Sequence, residues 1–140
     1  MSQPYAALEY RVPYADTDQM GIVYYGNYLT YFERARGELL RSLGLTYREI
    51  EARGYGLPVL SAHVDYKAPA RYDDLLEIRG WVGERKAVRV QVNCAVLRDG
   101  ELLAEGYTLH ALVDLATLRP TRFPAELAEL FDRHPSPASS

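Results

Sequence analysis

Residues 14–33, YADTDQMGIVYYGNYLTYFE, decide how this chain is read. Two acids, Asp16 and Asp18, stand just upstream of Gly21, and an apolar Ile22-Val23 step leads into the turn Tyr24-Tyr25-Gly26-Asn27. Beyond it, Tyr28, Phe32, Ala35 and Leu39 recur at helical spacing, with Leu29, Leu40 and Leu43 widening the stripe. The pattern predicts a helix over residues 27–43 with Gly44 as its C-cap. An acid held beside a helix start is a recurring catalytic arrangement. The helix offers unpaired backbone N–H groups and partial positive charge to a carbonyl oxygen, while the acid offers a nucleophile or base. One short segment can therefore carry both halves of an acyl-transfer site.

Working outward, residues 5–14 alternate loosely as a first strand that Pro13 ends. Thr46 and Glu49 match the capping-box spacing and start a short second helix that Gly54 closes. Residues 57–68 alternate, with Leu60, Ala62, Val64 and Tyr66 on an apolar face and Ser61, His63, Asp65 and Lys67 opposite. Strands follow over 75–83 and 87–97; in the latter Val88, Val90, Val92, Cys94 and Val96 share one face. Asp99-Gly100 is a hairpin turn, 101–114 a long return strand, and 124–133 a short helix. One long helix followed by strands joined mainly by hairpins makes the chain α+β, an antiparallel sheet of about five strands curled around that helix. We read residues 1–134 as one domain and 135–140 as a frayed tail. Residues 102–113 are apolar on both faces, which implies that a second subunit covers one of them.

Bulk properties narrow the function. The chain has 140 residues, 48% hydrophobic and 25% charged, with a formal net charge of −3. Mild acidity argues against bulk nucleic-acid binding. No apolar run approaches the roughly 18 residues of a membrane span, and the N-terminal residues lack the basic and apolar regions of a signal peptide, so the cytoplasm is the expected location. Cys94, the single cysteine, reads as a small core residue. His63, His110 and His134 are scattered without ligand spacing, so neither metal nor another cofactor is expected. A calcium loop is the competing reading, because Asp16, Asp18 and Gly21 fit its first, third and sixth positions. It fails because Met20 occupies the fifth and Asn27 stands where the bidentate Glu belongs.

The pattern D-x-D-x-x-G-x-V-[YW]-[YH]-x-N-Y, matched over residues 16–28, closely resembles the N-terminal motif of the hotdog-fold acyl-CoA thioesterases. The nearest groups are the 4-hydroxybenzoyl-CoA thioesterase family and its bacterial relatives encoded beside Tol-Pal envelope genes. A second family-like landmark is PARYDDLL at 69–76, and the resemblance covers roughly residues 8–125. It implies a hotdog fold, a homodimer with a continuous sheet that pairs further into a homotetramer, and metal-free hydrolysis of acyl-CoA thioesters. The second acid of the motif, here Asp18, would be catalytic, and the N–H that polarises the thioester carbonyl would fall at about Tyr25. Many Tol-Pal-linked members carry His where this chain has Tyr25.

Around that pair, Gly21, Val23, Tyr24, Asn27 and Ser61 are the substrate-binding candidates, with Arg85 and Lys86 expected to meet the nucleotide phosphates. Asp16 reads as turn or capping chemistry, and Glu33 as a solvated or dimer-facing acid one turn into the helix. Two rival functions stand beside the thioesterase. A dehydratase or hydratase acting on acyl carriers would need His63, and a non-catalytic acyl-CoA-binding module would need no reactive acid.

Overall fold

The computed structural model describes residues 5–133. His134 and the tail 135–140 lie outside them. Strand β1 (Ala6–Arg11) is followed by a 3-10 turn (Tyr14–Asp16) and the loop that reaches helix α1 (Asn27–Ser42). Next come α2 (Tyr47–Ala52), a two-residue β2 (Tyr55–Gly56) and β3 (Val59–Tyr66). The long strands β4 (Leu75–Arg85), β5 (Arg89–Arg98) and β6 (Glu101–Ala111) follow. The short β7 (Val113–Asp114) and β8 (Arg119–Pro120) then precede helix α3 (Ala125–Asp132).

Five strands form one antiparallel sheet in the order β1-β4-β5-β6-β3, and β2-β7-β8 make a smaller one. The hairpins are β4–β5 and β5–β6. The step from β3 to β4 instead crosses from one side of the sheet to the other, so the strands are not a plain meander. At the β5–β6 turn both Asp99 and Gly100 take positive φ (50° and 82°), the conformation for which Asp-Gly is favoured.

Helix α1 lies across the sheet and buries Tyr28, Tyr31, Phe32, Ala35, Leu39 and Leu40. Tyr31 joins the expected stripe, whereas Leu29, expected within it, is 44% exposed. The helix ends in a Schellman turn: Leu45 N–H donates to the Leu40 carbonyl (2.9 Å) and Gly44 N–H to that of Arg41 (3.0 Å), with Gly44 at φ 88°. Thr46 caps α2 by accepting from Glu49 N–H (3.2 Å).

The helix can approach the sheet because one row of cross-strand partners is small. Ala6, Gly80, Cys94, Gly106 and Val64 are successive neighbours across β1, β4, β5, β6 and β3. A Cβ on Gly80 would sit 3.2 Å from the Ala35 Cβ and 3.1 Å from its carbonyl oxygen. Cys94 is buried in this row, its thiol pushed up to about 12 by burial, as expected of an inert core residue.

The even-numbered positions of β5, Val90, Val92, Cys94 and Val96, are buried as expected. Strand β3 departs from expectation: Leu60, Ala62 and Tyr66 are exposed and Val64 is only half-buried. The reason is position. β3 is the outermost strand beside β6, so among the described residues no strand pairs with its free edge. Among the described residues no helix is long and apolar enough to cross a membrane.

Candidate functional site

The loop between β1 and α1 is organised by its own hydrogen bonds. Asp18 N–H donates to the Ile22 carbonyl (2.9 Å) and Gly21 N–H to that of Asp18 (3.0 Å), closing a tight turn with Gly21 at φ 78°. A side chain there would be strained, so glycine serves the turn rather than a ligand. Ile22 bridges to Arg71, and Val23 N–H donates to the Ala70 carbonyl (2.8 Å). The two sequence landmarks therefore meet. The second is itself stitched by Asp74, which accepts from Arg71 N–H (2.8 Å) and from the Arg98 guanidinium (2.7 Å).

Where the landmarks meet, a cleft of about 380 Å3 is lined by Asp18, Ile22, Val23, Tyr25, Tyr28, Tyr66, Lys67, Ala68 and Pro69. It holds one acid and one cation among apolar and aromatic walls. Met20 N–H donates to Asp18 Oδ1 (2.8 Å), and no group among the described residues engages Oδ2. On the other wall the Tyr66 hydroxyl donates to the Tyr25 carbonyl (2.9 Å), and the Tyr28 and Tyr66 rings meet edge to face at 5.1 Å. Helix α1 begins two residues after Tyr25. The first loop bonds run from Asn27 N–H to Tyr24 and from Tyr28 N–H to Tyr25 (2.9 and 3.2 Å). Among the described residues nothing accepts from the N–H groups of Tyr25 and Gly26. An oxygen-seeking donor pair and an open carboxylate thus belong to one short loop, which is what polarising and attacking a carbonyl requires.

Asp16 has a different surrounding. Its Oδ2 accepts from both Tyr10 and Tyr31 hydroxyls, each at 2.7 Å. Its carbonyl accepts from the Asn27 side-chain amide (2.8 Å) and from Tyr24 N–H (2.9 Å). Burial first, then the Asp16 carboxylate, raises both tyrosine pKa values, which keeps the hydroxyls protonated as donors. Asp16 is therefore a clamp between β1, the loop and α1, and it caps no helix.

Of the candidates read from sequence, Asp18, Val23 and Tyr25 come together in the cleft. Tyr24 packs on Tyr25 at 4.6 Å, and Asn27 is held by Asp16. Ser61 lies on the opposite face of β3 from Tyr66, beside His63, and lines no part of the cleft. His63 pairs with Asp65 (3.0 Å) and stacks on Tyr107, again away from Asp18. Glu33 is exposed on α1, outside the cleft. Arg85 holds Asp132 of α3 through two bonds of 2.7 and 2.8 Å, and Lys86 is an exposed residue 4.0 Å from Glu84. Sequence reading did not single out Ile22, Tyr28, Tyr66, Lys67, Ala68 and Pro69 as cleft walls. Their only signal was the density of tyrosine in the motif and the position of 66–69 directly before the second landmark.

The profile of the thioesterase-like superfamily matches residues 12–131. An acyl-CoA thioesterase of Haemophilus influenzae is 36% identical over 122 residues, 86% of this chain and 90% of that protein. Among solved structures, the hypothetical protein TT1821 of Thermus thermophilus superposes with a TM-score of 0.86 at 35% identity, covering 90% of this chain and 96% of its own. The DHNA-CoA thioesterase of Staphylococcus aureus gives 0.86 at 30% identity, covering 92% and 89%. With the helix wrapped by its five-stranded sheet and nearly the whole length matched, the chain belongs to the thioesterase-like superfamily and has the hotdog fold.

Proposed function

We propose that this protein hydrolyses acyl-CoA thioesters to free acid and CoA. The observation that carries the reading is the cleft in which the open carboxylate of Asp18 and the loop of Tyr25 stand together. The thioester carbonyl takes its polarisation from the unengaged N–H groups at Tyr25 and Gly26, and Asp18 attacks the carbon or draws a proton from a water that does so. Carboxylate is a weak base at neutral pH, but thiolate is a good leaving group, so either route suffices. The names of the relatives support this class of substrate. Neither rival gains support: His63 is outside the cleft, and a pure binding module has no use for an open acid.

Two copies pair along β3 in this reading. Its exposed run and free edge would continue the sheet, and Tyr66 and Lys67 bring the cleft to the same boundary. A second pairing of these dimers would cover the partly apolar outer face of β6 around Tyr107 and Leu109. Lys86 remains the exposed strand-end cation available to the nucleotide phosphates.

The test is a panel of short, long and aromatic acyl-CoAs assayed for thiol release. Hydrolysis of at least one establishes the activity and names the acyl class; binding without release of thiol overturns it. Light scattering on dilute protein checks the assembly, and a fully active monomer would remove the shared-edge reading.

A further inference from the structure

We propose that Asp16 is a positioning residue for the thioesterase reaction, acting through a two-tyrosine clamp that sets the placement of Asp18 and of the Tyr25 N–H. The inference rests on the activity proposed above. Its basis is that one residue ties four points of the site. The carboxylate of Asp16 takes the hydroxyls of Tyr10 from β1 and Tyr31 from α1, while its carbonyl takes the Asn27 amide and Tyr24 N–H. Asp18 is two residues along the chain from this anchor. Tyr25 directly follows one of the anchored residues, and Asn27 is the first residue of α1. Neither Asp16 nor its two tyrosine partners lines the cleft, so the clamp touches no substrate. It is rigid for a physical reason. Tyr31 is 1% exposed, so its hydroxyl has no room to turn elsewhere, and the ring of half-buried Tyr10 packs on it at 5.0 Å. From Tyr31 the ring contacts continue through Tyr28 (5.6 Å) to Tyr66, whose hydroxyl holds the Tyr25 carbonyl. The loop is thus gripped on both sides of the reactive pair.

Positioning acts on kcat, because a displaced acid or N–H loses alignment at the transition state while the cleft walls still bind the acyl group. Three variants test this, assayed well below their own unfolding temperatures: Asp16→Asn, Asp16→Ala and Tyr10→Phe/Tyr31→Phe. Asp16→Asn keeps the shape and one acceptor. The other two break the clamp from either side. The Phe pair and Asp16→Ala are expected to lose about tenfold in kcat per folded molecule with KM within about twofold, and Asp16→Asn to lose less. Tyr14→Phe, an exposed tyrosine in the same loop, should leave both constants unchanged. If Asp16→Ala does not fold, Asp16→Asn and the Phe pair decide the matter. A kcat per folded molecule within about twofold of wild type in the Phe pair overturns the clamp, as does a loss that only tracks the folded fraction. Wild-type protein that hydrolyses no thioester overturns the activity itself, a result distinguishable from failure of the clamp alone.

Discussion

Near the start of α1, polar groups face a cleft of about 380 Å3, whereas further along the same helix a second polar cluster runs inward from half-buried Arg36 and Tyr47 to Thr108 and His110, which are sealed among apolar side chains. In that second cluster the Arg36 guanidinium donates to the Tyr47 hydroxyl (2.8 Å) and lies 3.4 Å from Thr108 Oγ1. Thr108 Oγ1 lies 2.8 Å from His110 Nε2, and His110 Nδ1 lies 3.0 Å from the Leu57 carbonyl. Only about 10 Å3 of free space remains beside them, room for one water at most. Both regions draw on tyrosine, charge and backbone carbonyl. They differ in what is left over. Among the described residues every buried side-chain polar atom has a partner, so the inner part of this cluster, Thr108 and His110, has nothing left to offer a ligand and works in folding. Among the same residues, the open loop keeps one carboxylate oxygen and two N–H groups unengaged, and the proposed chemistry draws on these groups.

The largest expected effect falls on the open side. Asp18→Asn keeps the shape and the Met20 contact but removes the nucleophile or base, so kcat should fall at least about a hundredfold with unfolding unchanged. Asp16→Asn should cost far less, and equal losses would mean that the two acids have been assigned the wrong roles.

The mirror experiment is Arg36→Ala on the sealed side. It strips partners from Tyr47 and Thr108 and leaves a gap, and should destabilise by roughly 2–3 kcal/mol. Activity per folded molecule should stay within about twofold. Denaturant unfolding paired with initial rates reads both, and a large kcat loss in folded Arg36→Ala would erase the distinction between the two ends.

Acid sharpens the same contrast. Burial, aided by the Arg36 charge, lowers the pKa of His110 to about 4. An unfolded chain takes up this proton near pH 6.5 while the folded one refuses it until about pH 4. The contribution to stability is therefore complete above about pH 6.5 and is lost as pH falls toward 4, on the order of 2 kcal/mol by pH 5. Denaturant midpoints between pH 7 and 4.5 measure the slope, and His110→Gln should flatten it. An unchanged slope in that variant would remove His110 as the cause.

The smallest effect concerns Arg85 and Lys86, which sequence pairs and structure separates. Arg85→Ala should cost about 1 kcal/mol of stability through loss of the partly exposed Asp132 contact. Lys86→Ala should leave stability alone and raise KM for acyl-CoA, with little change for the same acyl group on a short thiol. Equal rises for both substrates would exclude a role in reading the nucleotide.

What could be read in the chain follows from how local each signal is. The span of α1, its glycine cap, the Asp-Gly hairpin and the buried face of β5 rest on spacing within a few residues, and all appear as expected. The period of two in β3 was equally clear, yet it failed to predict burial, because alternation specifies a strand and not its place in a sheet. Asp16 lies in a turn as expected, but the side-chain partners it holds are not legible, for a related reason. Its partners Tyr10 and Tyr31 come from a strand and a helix on either side, and the preference of Asp for turns says nothing of them. Arg85 looked available because its partner, Asp132, is on a helix far along the chain.

By itself, then, the sequence determined the element types, the family and the segment holding the two acids of the motif, since periodicity and a contiguous motif are properties of neighbouring residues. Only the tertiary structure decided which acid is open and which is clamped, which tyrosines wall the cleft, and that His110 is sealed while Arg36 stays half-buried. Those outcomes depend on where water is excluded and on which distant groups meet, and both are settled when the helix lies down on the sheet.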